Sequence, residues 1–153
     1  MSKLTAVIAL SAALFSTTAL ATAPKWSDGF AQGVTEIAVV GKGKAVLNFS
    51  CNPDATRSPE RTVFFTTSGG REVDGSRDDS PDINVTIDGQ TIQLTNDSFR
   101  AGENNWVYFW ELASKVKSQT ISVKVNGLAP ETFTTNGLKG VATDKGLKSC
   151  TLN

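Results

Sequence analysis

The chain has no histidine and only two cysteines among 153 residues. The absence of histidine removes the commonest general base at neutral pH and the commonest metal ligand. Surplus charge is missing too: 15 lysines and arginines balance 15 aspartates and glutamates. Loss of an N-terminal leader carrying Lys3 would leave about −1. Binding a nucleic-acid backbone needs a basic excess on one face, so we expect no nucleic-acid partner. There is no internal repeat, low-complexity tract or linker, and the length suits one core rather than two. What is present, 39% hydrophobic and 20% charged residues, is the composition of a folded domain and not of a disordered one.

Residues 1–21 read as a secretory signal peptide. Lys3 supplies the positive start, Leu4 to Leu14 is a short apolar run, and Ala19-Leu20-Ala21 fits the small-x-small rule for cleavage before Thr22. The run is too short to span a bilayer comfortably and lacks a positive stop-transfer flank, so no membrane span is expected after cleavage. No cysteine lies near the cut. The short, alanine-rich signal has a bacterial look, which places residues 22–153 as one domain in the periplasm or outside the cell. In that oxidising setting Cys51 and Cys150 are expected to form a structural disulfide, the one intrachain pairing open to them. Two sulfurs without histidine do not complete a tetrahedral metal site, and CxxC redox spacing is absent.

Between the cysteines the pattern is one of short strands. Glu36–Val40, Ala45–Cys51, Thr62–Thr67, Ile83–Ile87, Thr91–Leu94, Gln119–Val125 and Glu131–Thr135 show alternation or β-branched content. Gly41-Lys42-Gly43 is a turn; it lacks the spacing and following helix of a phosphate loop. Asp88-Gly89 supplies the positive φ of a type I′ hairpin. Thr22–Gly33 reads as a polar lead-in containing Trp26. Asn52–Arg61, Ser68–Asp82 and Asn96–Asn104 read as polar loops. Trp106–Phe109 predicts a strand, followed by a short helix to Lys117 on the spacing of Phe109, Leu112, Ala113 and Val116. A last helix is expected near Gly137–Lys148, capped by Asn136, with Leu138, Val141 and Ala142 buried. The sum predicts a mainly β fold: an antiparallel β-sandwich with one or two short helices and the Cys51–Cys150 bond.

No catalytic constellation emerges. Ser114-x-x-Lys117 has the spacing of an acylating serine motif, but its companion motifs are missing. Glu103 and Glu111 flank aromatics without any cleft signal. Asp74-x-Ser76-x-Asp78 starts like a calcium loop, yet Asp79 stands where glycine is needed and Val85 where glutamate is needed. We therefore expect no enzyme, no metal and no cofactor. Two binding surfaces remain. If residues 106–110 are a strand, Trp106, Tyr108 and Trp110 share a face, which is either core or a glycan platform. The Ser68–Asp82 loop, with Arg71, Asp74, Arg77, Asp78 and Asp79, is a candidate contact surface, because loops on a rigid scaffold carry recognition.

Several stretches together resemble a group of small exported bacterial β-sandwich proteins, the invasion-associated locus B proteins and the VasI/TagO-type accessory proteins of type VI secretion. They are Trp26, then Val46-Leu47-Asn48-Phe49-Ser50-Cys51, then Val85-Thr86-Ile87-Asp88-Gly89. The tail adds Ile121 to Val125, Thr132 to Leu138 and Cys150. The resemblance implies a non-enzymatic exported domain and carries over no catalytic residue. With only two cysteines the chain departs from the invasion-protein pattern. The function expected is an exported, non-enzymatic protein-interaction module, accessory to envelope or secretion machinery, with an unidentified protein partner. The alternatives are a carbohydrate or peptidoglycan binder using Trp106, Tyr108 and Trp110, and a small inhibitor of a hydrolase such as lysozyme.

Overall fold

The computed structural model describes residues 23–52, 60–75, 77, 79–94 and 100–143. The expected signal peptide, Cys150, Ser76, Asp78 and most of the loop after Asn52 lie outside the described residues. The fold is mainly β, with two antiparallel sheets and two helices. Strands β1 (Ser27–Ala31), β2 (Val34–Val40), β3 (Val46–Asn52), β4 (Glu60–Thr66) and β5 (Glu72–Asp74) form a five-stranded meander in chain order. Strands β6 (Ile83–Ile87), β7 (Gln90–Leu94), β8 (Thr120–Val125) and β9 (Glu131–Thr134) form a second sheet in the order β7-β6-β8-β9. Helix α1 (Arg100–Ser114) lies between β7 and β8 in the chain, and α2 (Leu138–Ala142) follows β9.

Period-two alternation sets the inward faces. Ile37, Val39, Leu47, Phe49, Val63 and Phe65 point inward from the first sheet, and Ile83, Val85, Ile121, Val123 and Phe133 from the second; all are buried in one shared core. The Phe65 and Phe133 rings meet edge-on at 6.4 Å, joining the two layers, an arrangement that fits a β-sandwich. Phe49 is the centre of the aromatic packing. It stacks on Phe109 at 4.7 Å and meets Trp110 at 4.9 Å, Trp106 at 5.6 Å and Trp26 at 6.0 Å.

The hairpin at Asp88-Gly89 forms as expected: both residues have positive φ, 49° and 80°, and Ile87 pairs with Gln90 across the two-residue turn. Elsewhere the structure corrects the reading. The polar lead-in contains β1, which pairs with β2 from Ser27↔Ala38 to Ala31↔Val34. The Ser68–Asp82 loop contains β5, held by pairing of Val73 with Phe65. The stretch Trp106–Phe109 is helical, and α1 begins at Arg100, inside the expected turn region. Trp106, Phe109, Trp110 and Ala113 are all buried, the i, i+3, i+4, i+7 stripe of a helix. Burial of that stripe against Phe49 overrides the β-propensity of the aromatics. The final helix is shorter than expected. Its cap is Gly137 with no side-chain capping bond, not Asn136.

Trp26 joins the start of the described chain to its far end. Its backbone N–H donates to the Asn136 carbonyl at 2.9 Å, and its indole Nε1–H donates to the Thr134 carbonyl at 2.7 Å. The ring itself is 1% exposed, so the side chain supplies both core volume and an end-to-end tie.

Candidate functional site

Gly75 builds the base of the site. It follows β5, is buried, and its N–H donates to the Val63 carbonyl at 2.8 Å. A Cβ there would lie 2.6 Å from that same carbonyl oxygen, a separation that side-chain atoms do not tolerate, so only glycine lets the chain pass this close to β4. The chain then turns outward. Ser80 N–H donates to the Arg77 carbonyl at 3.0 Å, closing the turn that leads into β6.

This route leaves a recess of about 370 Å³ beside β5, lined by Arg71, Glu72, Asp74, Arg77, Asp79 and Ser80, with Val73, Pro81, Asn126 and Leu128 completing it. Of the expected contact residues, Arg71, Asp74, Arg77 and Asp79 come together here. Asp78 lies outside the described residues. Arg77 grips Asp79 with two parallel bonds, Nε to Oδ1 at 3.1 Å and Nη2 to Oδ2 at 3.2 Å. The hydrogen bond and charge of Arg77 hold the Asp79 carboxyl below its ordinary range, and Asp79 raises Arg77 in return. Both side chains are mostly exposed. Such a pair adds little stability, but it fixes the direction in which the guanidinium and carboxylate are presented.

The proposed aromatic face does not form. Trp106 and Trp110 are each 3% exposed, while Tyr108 is 39% exposed on the opposite side of α1, where its hydroxyl meets Gln90 Oε1. Glu103 and Glu111 are separated in role as well. Glu103 lies 3.7 Å from the buried Arg61 guanidinium, and Glu111 pairs with Lys115 at 2.7 Å. Ser114 donates to the Glu111 carbonyl at 2.7 Å. Among the described residues no group of three or more histidine, cysteine, aspartate or glutamate side chains is placed to hold a metal. Cys51 is buried on the inward face of β3.

Three polar anchors escaped the sequence reading. Asp88 accepts from the Lys117 N–H at 2.9 Å and the Ser118 N–H at 2.8 Å, and these donors hold its carboxyl below the ordinary range. Glu131 accepts from the Ser68 N–H at 2.7 Å, and the Ser68 side chain together with that N–H holds its carboxyl below the ordinary range. Arg61 is 4% exposed. Its position was readable, because continuing the alternation of Val63 and Phe65 back by two residues puts Arg61 on the inward face.

The molecule is thus a mainly β, two-sheet domain with a charged recess at one sheet margin. The family model described as YfjT matches residues 24–142, a span that contains every strand and helix above, and the chain belongs to the YfjT family. No curated protein and no solved structure matches it. No helix of the described residues is long and apolar enough to cross a membrane.

Proposed function

We propose that the chain is an exported, non-enzymatic interaction module of the bacterial periplasm or exterior, binding a protein partner by surface complementarity. One observation carries this reading: Arg71, Asp74, Arg77 and Asp79, spread along the loop singled out as a contact surface, converge around one recess at a sheet margin. Preset charges on a fixed frame favour selection among partners and correct orientation. In this reading residues 1–21 are the cleaved export signal and Cys51 bonds Cys150, which would fasten β3 to the C-terminal segment. The likeness to the invasion-associated and type VI accessory proteins supports work alongside envelope or secretion machinery.

The test is affinity capture from periplasmic extract with the mature chain and its R71S/R77S variant. Both positions are exposed, so the fold is expected to persist. Deleting the loop is a poorer test, since Val73 and Gly75 belong to the interior. Specific partners recovered with the parent and lost with the variant support the proposal; equal recovery overturns the role of the recess. Non-reducing mass spectrometry of the exported chain tests the bond between Cys51 and Cys150.

A further inference from the structure

The outward faces of the two sheets differ in kind. Outward positions of the four-stranded sheet are Asn84, Thr86, Thr91, Gln93, Ser122 and Lys124, with Thr120, Thr132 and Thr134 alongside. None is apolar, and Thr86 and Thr91 hydrogen-bond across the strands at 2.8 Å. That is an ordinary solvated surface.

The five-stranded sheet presents something else. Its outward rows, set by register, include Ala38↔Asn48↔Phe64↔Asp74 and Val40↔Val46↔Thr66↔Glu72. Phe64 is 41% exposed and Val40 55% exposed. Beside Phe64 a shallow hollow of about 260 Å³ is floored by Val34, Ser50 and Thr62 and edged by Glu60. Charge on this face is of one sign. Glu36, Glu60, Glu72 and Asp74 point outward from three strands, and no lysine or arginine does. Among the described residues Glu36, Glu60 and Glu72 have no ion-pair partner. The neighbouring cations are Lys42 and Lys44 in the β2–β3 turn, and Arg71 and Arg77, which share the recess with Glu72 and Asp74 at the β5 edge.

We propose that the outward face of the five-stranded sheet docks a basic polypeptide, with Phe64 and Val40 as the apolar seat and Glu36 and Glu60 as the charged margin. An apolar centre with a polar rim is the layout of a binding patch. The sign of the rim selects the occupant. Two copies placed face to face would oppose their carboxylates, and a neutral glycan would make no use of one-sided charge. Glu72 and Asp74 also line the recess, so the test is made with residues that do not: Phe64, Glu36 and Glu60.

The probe is a fluorescein-labelled octapeptide of alternating lysine and valine, titrated into the mature chain and followed by anisotropy and by backbone amide shifts. Alternating glutamate–valine and threonine–valine peptides are the comparisons. Expected is salt-sensitive binding of the lysine peptide alone, with shifts centred on Ala38, Asn48 and Phe64. Phe64→Ser and the double variant E36Q/E60Q should each weaken it about tenfold or more, with Thr86→Ala on the other face leaving it unchanged. The E36Q/E60Q chain alters only solvent-facing carboxyls and keeps the test decisive if Phe64→Ser unfolds. No binding, equal binding of the glutamate peptide, or shifts mapping elsewhere overturns the proposal. So does self-association in sedimentation that Phe64→Ser abolishes, or response of the same amides to chito-oligosaccharide but not to the lysine peptide.

Discussion

The Ser68 N–H donates to Glu131 Oε1 at 2.7 Å, a bond between a turn of one sheet and the edge strand of the other. Asp88 does the same kind of work nearby in sequence to α1, receiving the N–H groups of Lys117 and Ser118 where the chain enters β8. Both are carboxylates that accept from backbone across long stretches of sequence. Neither belongs to a repeating ladder, so each depends on its own charge state.

Acid should expose that dependence. Both carboxyls are held below their ordinary range by these bonds. A group depressed in the folded state stabilises it fully above the unfolded value and loses that contribution as pH falls through the folded value. The thermal midpoint is therefore expected to drop on acidification below about pH 4. Asp88→Asn and Glu131→Gln should each lower the midpoint at neutral pH and flatten its fall in acid, read by calorimetry across the acid range. Unchanged pH profiles in both variants would remove these anchors from the account.

Gly75→Ala should cost roughly 2 kcal/mol or more, because the new methyl meets a backbone oxygen rather than a flexible side chain. Relief requires β5 to move away from β4. Urea denaturation measures the loss, and hydrogen exchange at Val73 and Gly75 should quicken before exchange elsewhere. Partner capture by the recess should fall in the same variant.

Phe49→Ala should be the most damaging single truncation in the core, at roughly 3–5 kcal/mol. Four aromatic side chains rest on this ring, and no neighbour can collapse into its place without leaving another gap. Phe49→Leu should lose less. Chemical denaturation of the two variants checks the order.

All three tryptophans of the chain are at most 3% exposed. Acrylamide should quench their emission weakly, and soluble glycans should leave it unchanged. Strong quenching, or a spectral shift with glycan, would return the indoles to the surface.

The strands of both sheets were largely readable because alternation is strict wherever one face is buried: Val46–Asn52 and Thr120–Val125 are legible from their side chains alone. What failed was of two kinds. The edge strand Ser27–Ala31 is exposed along its whole length, so it carries no period to read; pairing with β2 makes it a strand. Helix α1 carries the opposite fault. Its five-residue run Trp106–Trp110 is rich in strand-forming aromatics, and the helical stripe shows only when Trp106 is grouped with Phe109, Trp110 and Ala113. The loop's charged residues, Arg77 and Asp79 among them, are legible from composition. Its recess was not foreseeable, since Gly75 passing against Val63 is a tertiary event that leaves no local mark.

The tie made by Trp26 has a consequence for the order of assembly. Its indole waits for an acceptor 108 residues further along the chain. The meander from β1 to β5 joins neighbours only, whereas that indole finds its hydrogen-bond acceptor in β9. The full set of Trp26 contacts, from the Phe49 ring to the Thr134 carbonyl, can therefore be complete only when β9 is in place.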